Sequence, residues 1–455
     1  AGEYRIEVEP GSGAPGAYRL QAAFVVVQTG PVGVEGADLR APMVLAHQGE
    51  LLALWMAQDG AGNPQLIGMR HPANATAWAS PRRLAPALGF NAFALPPPHA
   101  LADGTGTAWV LWFDGTNRVP MLTRGALASD GAWSEPLALG SALCRGTGVQ
   151  RLAVNRLGQA VALWQRAGSP VGVNQGWCMR RFDNGAWGEE QLIGPATGHN
   201  FASTALQLVL TDAGQAVAAW HKNGVSVPVV SQQDAAGQDW SAPVEIDPSA
   251  NDPLPTGSSW NALVAAPDGS LLLAWRNSGA APGGAGLVHA AVRSADGGWA
   301  ARTLLGQSPA GGLGHPQAGG LGGDRFVVAW NDSANGPRLR EYQPGSGWGA
   351  PLPLAAGASP PTGATLWNLA TAADGSAAAV AQGSAAAATG PHLFVDLRSP
   401  ATGVWRSVAP IPAASLVPGA YGPPVAVDGA WAGLLWLETH GTGYRVQGLR
   451  LPTAP

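Results

Sequence analysis

Asp268-Gly269-Ser270-Leu271-Leu272-Leu273-Ala274-Trp275 decides the fold. A turn dipeptide leads into an apolar run without polar alternation, and the run ends on tryptophan. Asp-Gly supplies the positive φ of a tight turn, and an unbroken apolar run suits a strand buried on both faces. The same pattern recurs along the chain, closing on Trp55, Trp112, Trp164, Trp220, Trp330 and Trp436, with Ala381 in the seventh of eight places. Successive markers lie 51 to 57 residues apart. A fixed period of this size is the signature of a repeat architecture.

A second tryptophan follows the markers: Trp78, Trp133, Trp187, Trp240, Trp299, Trp348 and Trp405. A turn precedes it, as in Asp183-Asn184-Gly185, and a Trp-x-x-Pro-x-x-Leu segment often follows. The two sets account for 14 of the 19 tryptophans. Each unit therefore reads as four strands; in unit five they are about 261–266, 271–276, 286–293 and 299–305. Four strands per unit with strong turn punctuation predict a β-propeller blade, with the marker Trp wedged between neighbouring blades. Ala381 thins the wedge of blade seven, and Trp367 is expected to fill it from the first strand.

The expected fold is all-β: one propeller domain over 1–455 with eight four-stranded blades, seven being the alternative. The blades run over roughly 31–88, 89–140, 141–194, 195–247, 248–306, 307–355, 356–412 and 413–455. Unit eight has a third strand near 444–451 and no room for a fourth. Strand-like sequence at 4–8 and 18–27, within an N-terminal closing region 1–30, is expected to complete it and so remove two open edges.

Composition narrows the function classes. Net charge is −4 and only 12% of residues are charged, with no basic cluster, so a nucleic-acid groove is not expected. The longest aliphatic run, Ala22-Ala23-Phe24-Val25-Val26-Val27, falls far short of a membrane span. The chain starts at Ala1, as a mature product does after signal cleavage, which gives an expectation of a secreted, periplasmic or cell-surface protein. Cys144 and Cys178 either form one bridge in an oxidising compartment or stay buried thiols.

The pattern Gly-x-Ala-x-Ala-x-Trp followed by Asp-Gly-x-Trp resembles repeats of secreted bacterial propellers of the sialidase-like superfamily. The turns look like degenerate Asp-boxes; Ser294-Ala295-Asp296-Gly297-Gly298-Trp299 is one residue short of the family spacing. The resemblance implies a fold rather than an activity. Sialidases use three arginines, a Tyr/Glu pair and an Asp. The nearest match to their opening Arg-Ile-Pro is Arg118-Val119-Pro120, in unit two, and no Tyr/Glu pair stands out.

Propeller sites lie where first strands begin and where second-to-third-strand loops turn. Those positions give Arg40, His99, Arg151, Trp260, Asn261, His315, Gln317, Trp367, Asn368 and Tyr421 as ligand candidates. Two first-strand segments repeat each other, Ser259-Trp260-Asn261 and Leu366-Trp367-Asn368; a ring that stacks on a pyranose beside an amide that bonds hydroxyls is sugar-binding chemistry. The plain alternative is that each Trp packs between blades and each Asn caps a turn. Lys222, the only lysine, adds a candidate. Asp59, Asp114, Asp332 and Glu438 are weak acid/base candidates. No metal spacing is present; Asp59-Gly60-Ala61-Gly62-Asn63 and Asp114-Gly115-Thr116-Asn117 faintly suggest calcium loops and are better explained as turns. No cofactor is expected. Three readings remain: a binding propeller for a glycan or other surface ligand, a polysaccharide hydrolase or lyase, and a structural component that uses its rim.

Overall fold

The computed structural model describes residues 9–10, 18–19, 28–36, 39–59, 61–75, 77–86, 98–129, 131, 133–167, 176–193, 206–221, 228–235, 238–246, 260–277, 286–308, 316–332, 335–355, 362–384, 391–408, 410–413, 416, 424–440 and 443–453. Eight small antiparallel sheets form a ring. In blades one to seven the strands, A to D from the axis outward, follow chain order. In blade five they are Trp260–Ala265, Leu271–Asn277, Gly286–Arg293 and Thr303–Ser308. The A strands pack against one another around the axis, from Arg40–His47 in blade one to Val425–Asp428 in blade eight and back to blade one. Among the described residues the only helix is the single 3-10 turn Ala142–Cys144. None is long and apolar enough to cross a membrane.

The ring closes as a composite. Blade eight takes its A, B and C strands from the C-terminal end, and its outer strand is Gln28–Gly36, paired antiparallel with Gly443–Pro452. The closing strand thus lies just past the expected 18–27 segment; residues 4–8 fall outside the described set. A two-residue pairing of Glu9–Pro10 with Tyr18–Arg19 stands apart from the blades.

The tryptophan period is a packing rule. The clusters between blades each take the marker residue of the later blade: Trp112 between one and two, Trp164 between two and three, Trp220, Trp275 and Trp330 onward, and Trp55 between eight and one. The D-strand tryptophans pack beside them, as Trp133, Trp187 and Trp299 do. Burying one such side chain is worth about 1.5–3 kcal/mol. The D strands themselves are broken: Trp299 makes one isolated bridge to Arg293, and the strand proper starts at Thr303, after a register shift beside His289.

The expectation for blade seven is corrected. Phe394, directly opposite Ala381 on strand C, fills the thinned wedge together with Ala355, and it is 5% exposed. Trp367 does not join that cluster, because a register shift between Leu366 and Asn368 leaves it bulged out of the ladder.

Cys144 and Cys178 are bonded, their Cα atoms 6.1 Å apart. The bridge ties the link entering blade three to that blade's strand C, and Trp164 Nε1 donates to the Cys144 carbonyl at 2.8 Å. On the lower face, where A–B turns lie, polar side chains stitch blade to blade. Arg156 Nε donates to Asp212 at 2.6 Å, and Arg398 holds Glu341 in a two-pronged contact at 2.9 and 3.0 Å.

Candidate functional site

Strand B residues are almost wholly buried, whereas strand A residues are mostly half-buried, as in His99–Ala102, Gln317–Gly320 and Val425–Asp428. The inner strands therefore present surface to the axis. Residues opposite one another in an antiparallel pair share one height, so the marker fixes a level in every blade. The residue before the marker is Leu54, Leu111, Leu163, Ala219, Ala274, Ala329 and Val380 in blades one to seven. Opposite these on strand A stand Met43, His99, Arg151, Gln207, Ala262, Gln317 and Asn368. In blade eight Leu435 donates its N–H to the Pro424 carbonyl at that level. All eight are half-buried. They make an axial belt that is polar over blades two, three, four, six and seven, with Met43 and Pro424 on its apolar side.

Arg151 is the charged member. Its Nε donates to the Leu206 carbonyl of blade four at 2.7 Å, and Nη1 to the Gln150 carbonyl at 2.8 Å. These bonds fix the guanidinium without neutralising it, and burial pulls its pKa below the usual arginine range. No described carboxylate bonds to it. His99 of blade two lies close enough to feel its charge. Burial first, then the Arg151 charge, pushes the imidazole down to about 3, so His99 is neutral at ordinary pH.

Blade seven adds a built corner. Asn331, following the marker Trp330, reaches into blade seven: its Oδ1 accepts the Leu366 N–H at 2.7 Å and its Nδ2 donates to the Leu366 carbonyl at 3.4 Å. Trp367, next in the chain, is half-buried, and its indole N–H is enclosed without an acceptor. Asn368 then rejoins the ladder at the belt. The two Trp-Asn pairs are not equivalent. Asn261 stands opposite the marker Trp275, whereas Asn368 stands opposite Val380, one before the marker. In a strand one step of register exchanges the two faces.

The four acid/base candidates are occupied within their own blades. Asp59 accepts from the N–H groups of Ala61 and Asn63 at 2.9 and 2.8 Å and from the Asn63 amide at 3.1 Å. The Asn63 backbone N–H, first among these, holds its carboxyl below the usual range. Asp114 takes Thr116 and Asn117 in the same way, and Asp332 takes Asn335. Glu438 accepts from Trp436 Nε1 at 3.0 Å and Gln447 Nε2 at 3.1 Å. These are turn and strand-end contacts. Arg118 sits exposed in the turn after Asp114 with φ of 60°, away from the axis. No three His, Cys, Asp or Glu among the described residues are grouped to hold a metal.

Of the remaining candidates, Arg40 and Trp260 lie on A strands, Arg40 opposite Met56 and Trp260 opposite Arg276. His315, Tyr421 and Lys222 fall outside the described residues. Gln207 was not legible as a site residue: nothing around it repeats, and only its pairing with Ala219 puts it on the belt. Asn331 follows its marker tryptophan directly, but nothing in the sequence signals its hold on the next blade.

No protein-family model and no curated protein matches the chain. Among solved structures, the chain is similar to a puromycin hydrolase S511A mutant, with 16% identity and a TM-score of 0.41 over 90% of this chain and 52% of that one, so it spans about half of that enzyme's length. It is similar to the polysaccharide lyase Uly1, with 10% identity and a TM-score of 0.45 over 90% and 89% of the two chains. It is also similar to the NanB sialidase of Streptococcus pneumoniae, with 12% identity and a TM-score of 0.36 over 92% and 69%.

Proposed function

We propose that the chain is a binding propeller that takes a glycan carrying an acidic group at the upper end of its axis. One observation carries the reading: Arg151 is fixed by two backbone carbonyls on the axial belt and no described carboxylate answers its charge. A charge drawn partly out of water favours a partner, so a ligand carboxylate or sulfate is the fitting counter-charge. Gln207, Gln317 and Asn368 share its level, and amides of this kind bond sugar hydroxyls. Trp367 adds a half-buried ring beside Asn368. The Cys144–Cys178 bond supports an oxidising compartment, in keeping with an extracellular or periplasmic ligand.

Two features favour binding over catalysis. Each of Asp59, Asp114, Asp332 and Glu438 is bonded within its own blade rather than paired across the axis. A glycosidase needs two carboxylates facing each other about 5–10 Å apart. His99 beside Arg151 has the layout of a lyase base, but a pKa of about 3 leaves it a poor proton acceptor. Calorimetry with acidic oligosaccharides and their neutral counterparts tests the reading. Preference for the acidic set, lost in Arg151→Gln, is the expected result. Equal affinity for both sets, or release of new reducing or unsaturated ends, would sink it.

A further inference from the structure

Blade eight is assembled from both ends of the chain, and its seam with blade one sets a buried histidine beside a buried arginine. Its apolar part is ordinary: Trp55, Met69 and Val44 against Leu435 and Val446. Its polar edge is a cluster centred on Arg450, on strand C of blade eight and 5% exposed. Arg450 Nη2 donates to two carbonyls of blade one, Gly49 at 3.0 Å and Ala73 at 2.8 Å. Its guanidinium lies 3.8 Å over the Trp431 ring. Its Nη1 is 3.4 Å from Nδ1 of His71, on strand C of blade one. His71 is 1% exposed and stands edge-on to Trp78, 5.3 Å between ring centres.

We infer that this seam is an acid-sensitive latch on the ring, with His71 as the group that senses the proton. While His71 is neutral, Nδ1–H donates to the Pro72 carbonyl at 3.0 Å and the ring sets no charge beside Arg450, whose Nη1 lies 3.4 Å away. A proton on His71 places a second cation 3.4 Å from the Arg450 guanidinium, where little water is present to screen the pair. The repulsion pushes Arg450 away from His71 and so bears on its two bonds to blade one.

The surrounding charges set the direction. Burial first, and the Arg450 charge as well, hold the His71 pKa below the ordinary 6.5; the Pro72 carbonyl, 3.0 Å from Nδ1, and the Glu50 charge work the other way. Glu50 is already engaged, by Arg70 at 2.8 Å and the Ala73 N–H at 3.3 Å. Asp428 of blade eight is spent on the Gly49 N–H at 2.6 Å. Burial outweighs the rest, so the closed seam binds a proton less readily than the opened one. As pH falls below 6.5, the opened state takes up a proton that the closed state refuses. The opening constant rises by up to about tenfold per pH unit for one proton, and levels off below the closed-state pKa.

The test is hydrogen exchange of the full chain between roughly pH 7.5 and 5, corrected for intrinsic rates. The expected result is that Gly443–Pro452 and Pro64–His71 lose protection as pH falls while Leu271–Asn277, on the far side of the ring, keeps it. His71→Gln keeps a hydrogen-bond donor for the Pro72 carbonyl and cannot charge, so it should flatten the response; this also separates His71 from His289 and His392. Equal loss in every blade, or an unchanged response in His71→Gln, would overturn the latch. If that variant fails to fold, the imidazole titration of His71 in the native chain decides: a value below 6.5 supports the latch, and one at or above 6.5 overturns it.

Discussion

Asn331 grips Leu366 at both of its backbone polar groups, across the boundary between blades six and seven. A single amide thereby stands in for a stretch of ladder at the point where the strand bulges. Replacing it with alanine leaves a buried N–H and carbonyl without partners, which costs about 1–3 kcal/mol. Urea unfolding of Asn331→Ala should show that loss. The same variant should weaken glycan binding through displaced Trp367 and Asn368, although Asn331 is 6% exposed. Wild-type affinity in a destabilised Asn331→Ala would remove blade seven from the site.

The blade-seven wedge predicts a non-additive pair. Phe394→Ala empties the space opposite Ala381 and should cost about 3–5 kcal/mol. Ala381→Trp alone overpacks against Phe394 and should cost about 1–3 kcal/mol. Combined, the new indole takes the vacated volume, so the double variant should be more stable than the sum of the two losses. Additive losses would show that the two positions do not share one space.

Binding should be nearly flat in pH from roughly 4 to 8, because His99 stays neutral down to about 3. Stability has a different dependence. The folded pKa of His99 lies below its unfolded value, so its contribution is full above about 6.5 and is lost as pH falls from there toward 3. His99→Gln should therefore soften acid unfolding while leaving binding near pH 7 dependent on Arg151. Thermal melts across that range read the first effect, and titration calorimetry reads the second.

Removing the disulfide should loosen one region more than the whole. Cys144→Ala with Cys178→Ala frees the link into blade three and should cost about 2–4 kcal/mol. Thiol labelling of the native chain should find no reactive cysteine until reductant is added.

Much of the ring was legible because one physical requirement repeats. Each gap between radial sheets needs a large wedge, and Trp55, Trp112, Trp164, Trp220, Trp275, Trp330 and Trp436 advertise it. Where the wedge changes, the pattern misleads: Phe394 fills blade seven from strand C, a position no period marks. The site is harder to read because it depends on register. Trp260-Asn261 and Trp367-Asn368 look alike as strings, yet a bulge sets them one step apart. Gln207 carries no local signal at all, and only the ladder to Ala219 brings it level with Arg151.

The composite blade also dictates a timetable. Gln28 pairs with Arg450, so a strand made before blade one must wait, unpaired, for one made after blade seven. Blades one to seven can form in order as they emerge, each bringing the wedge that packs it on its predecessor, while the circle stays open. Its completion is a single late event with a very long loop to close, which is intrinsically slow. During that interval both Gln28–Gly36 and its future neighbour offer bare edges to other chains. The species with most edge to lose to another chain is thus a nearly finished ring.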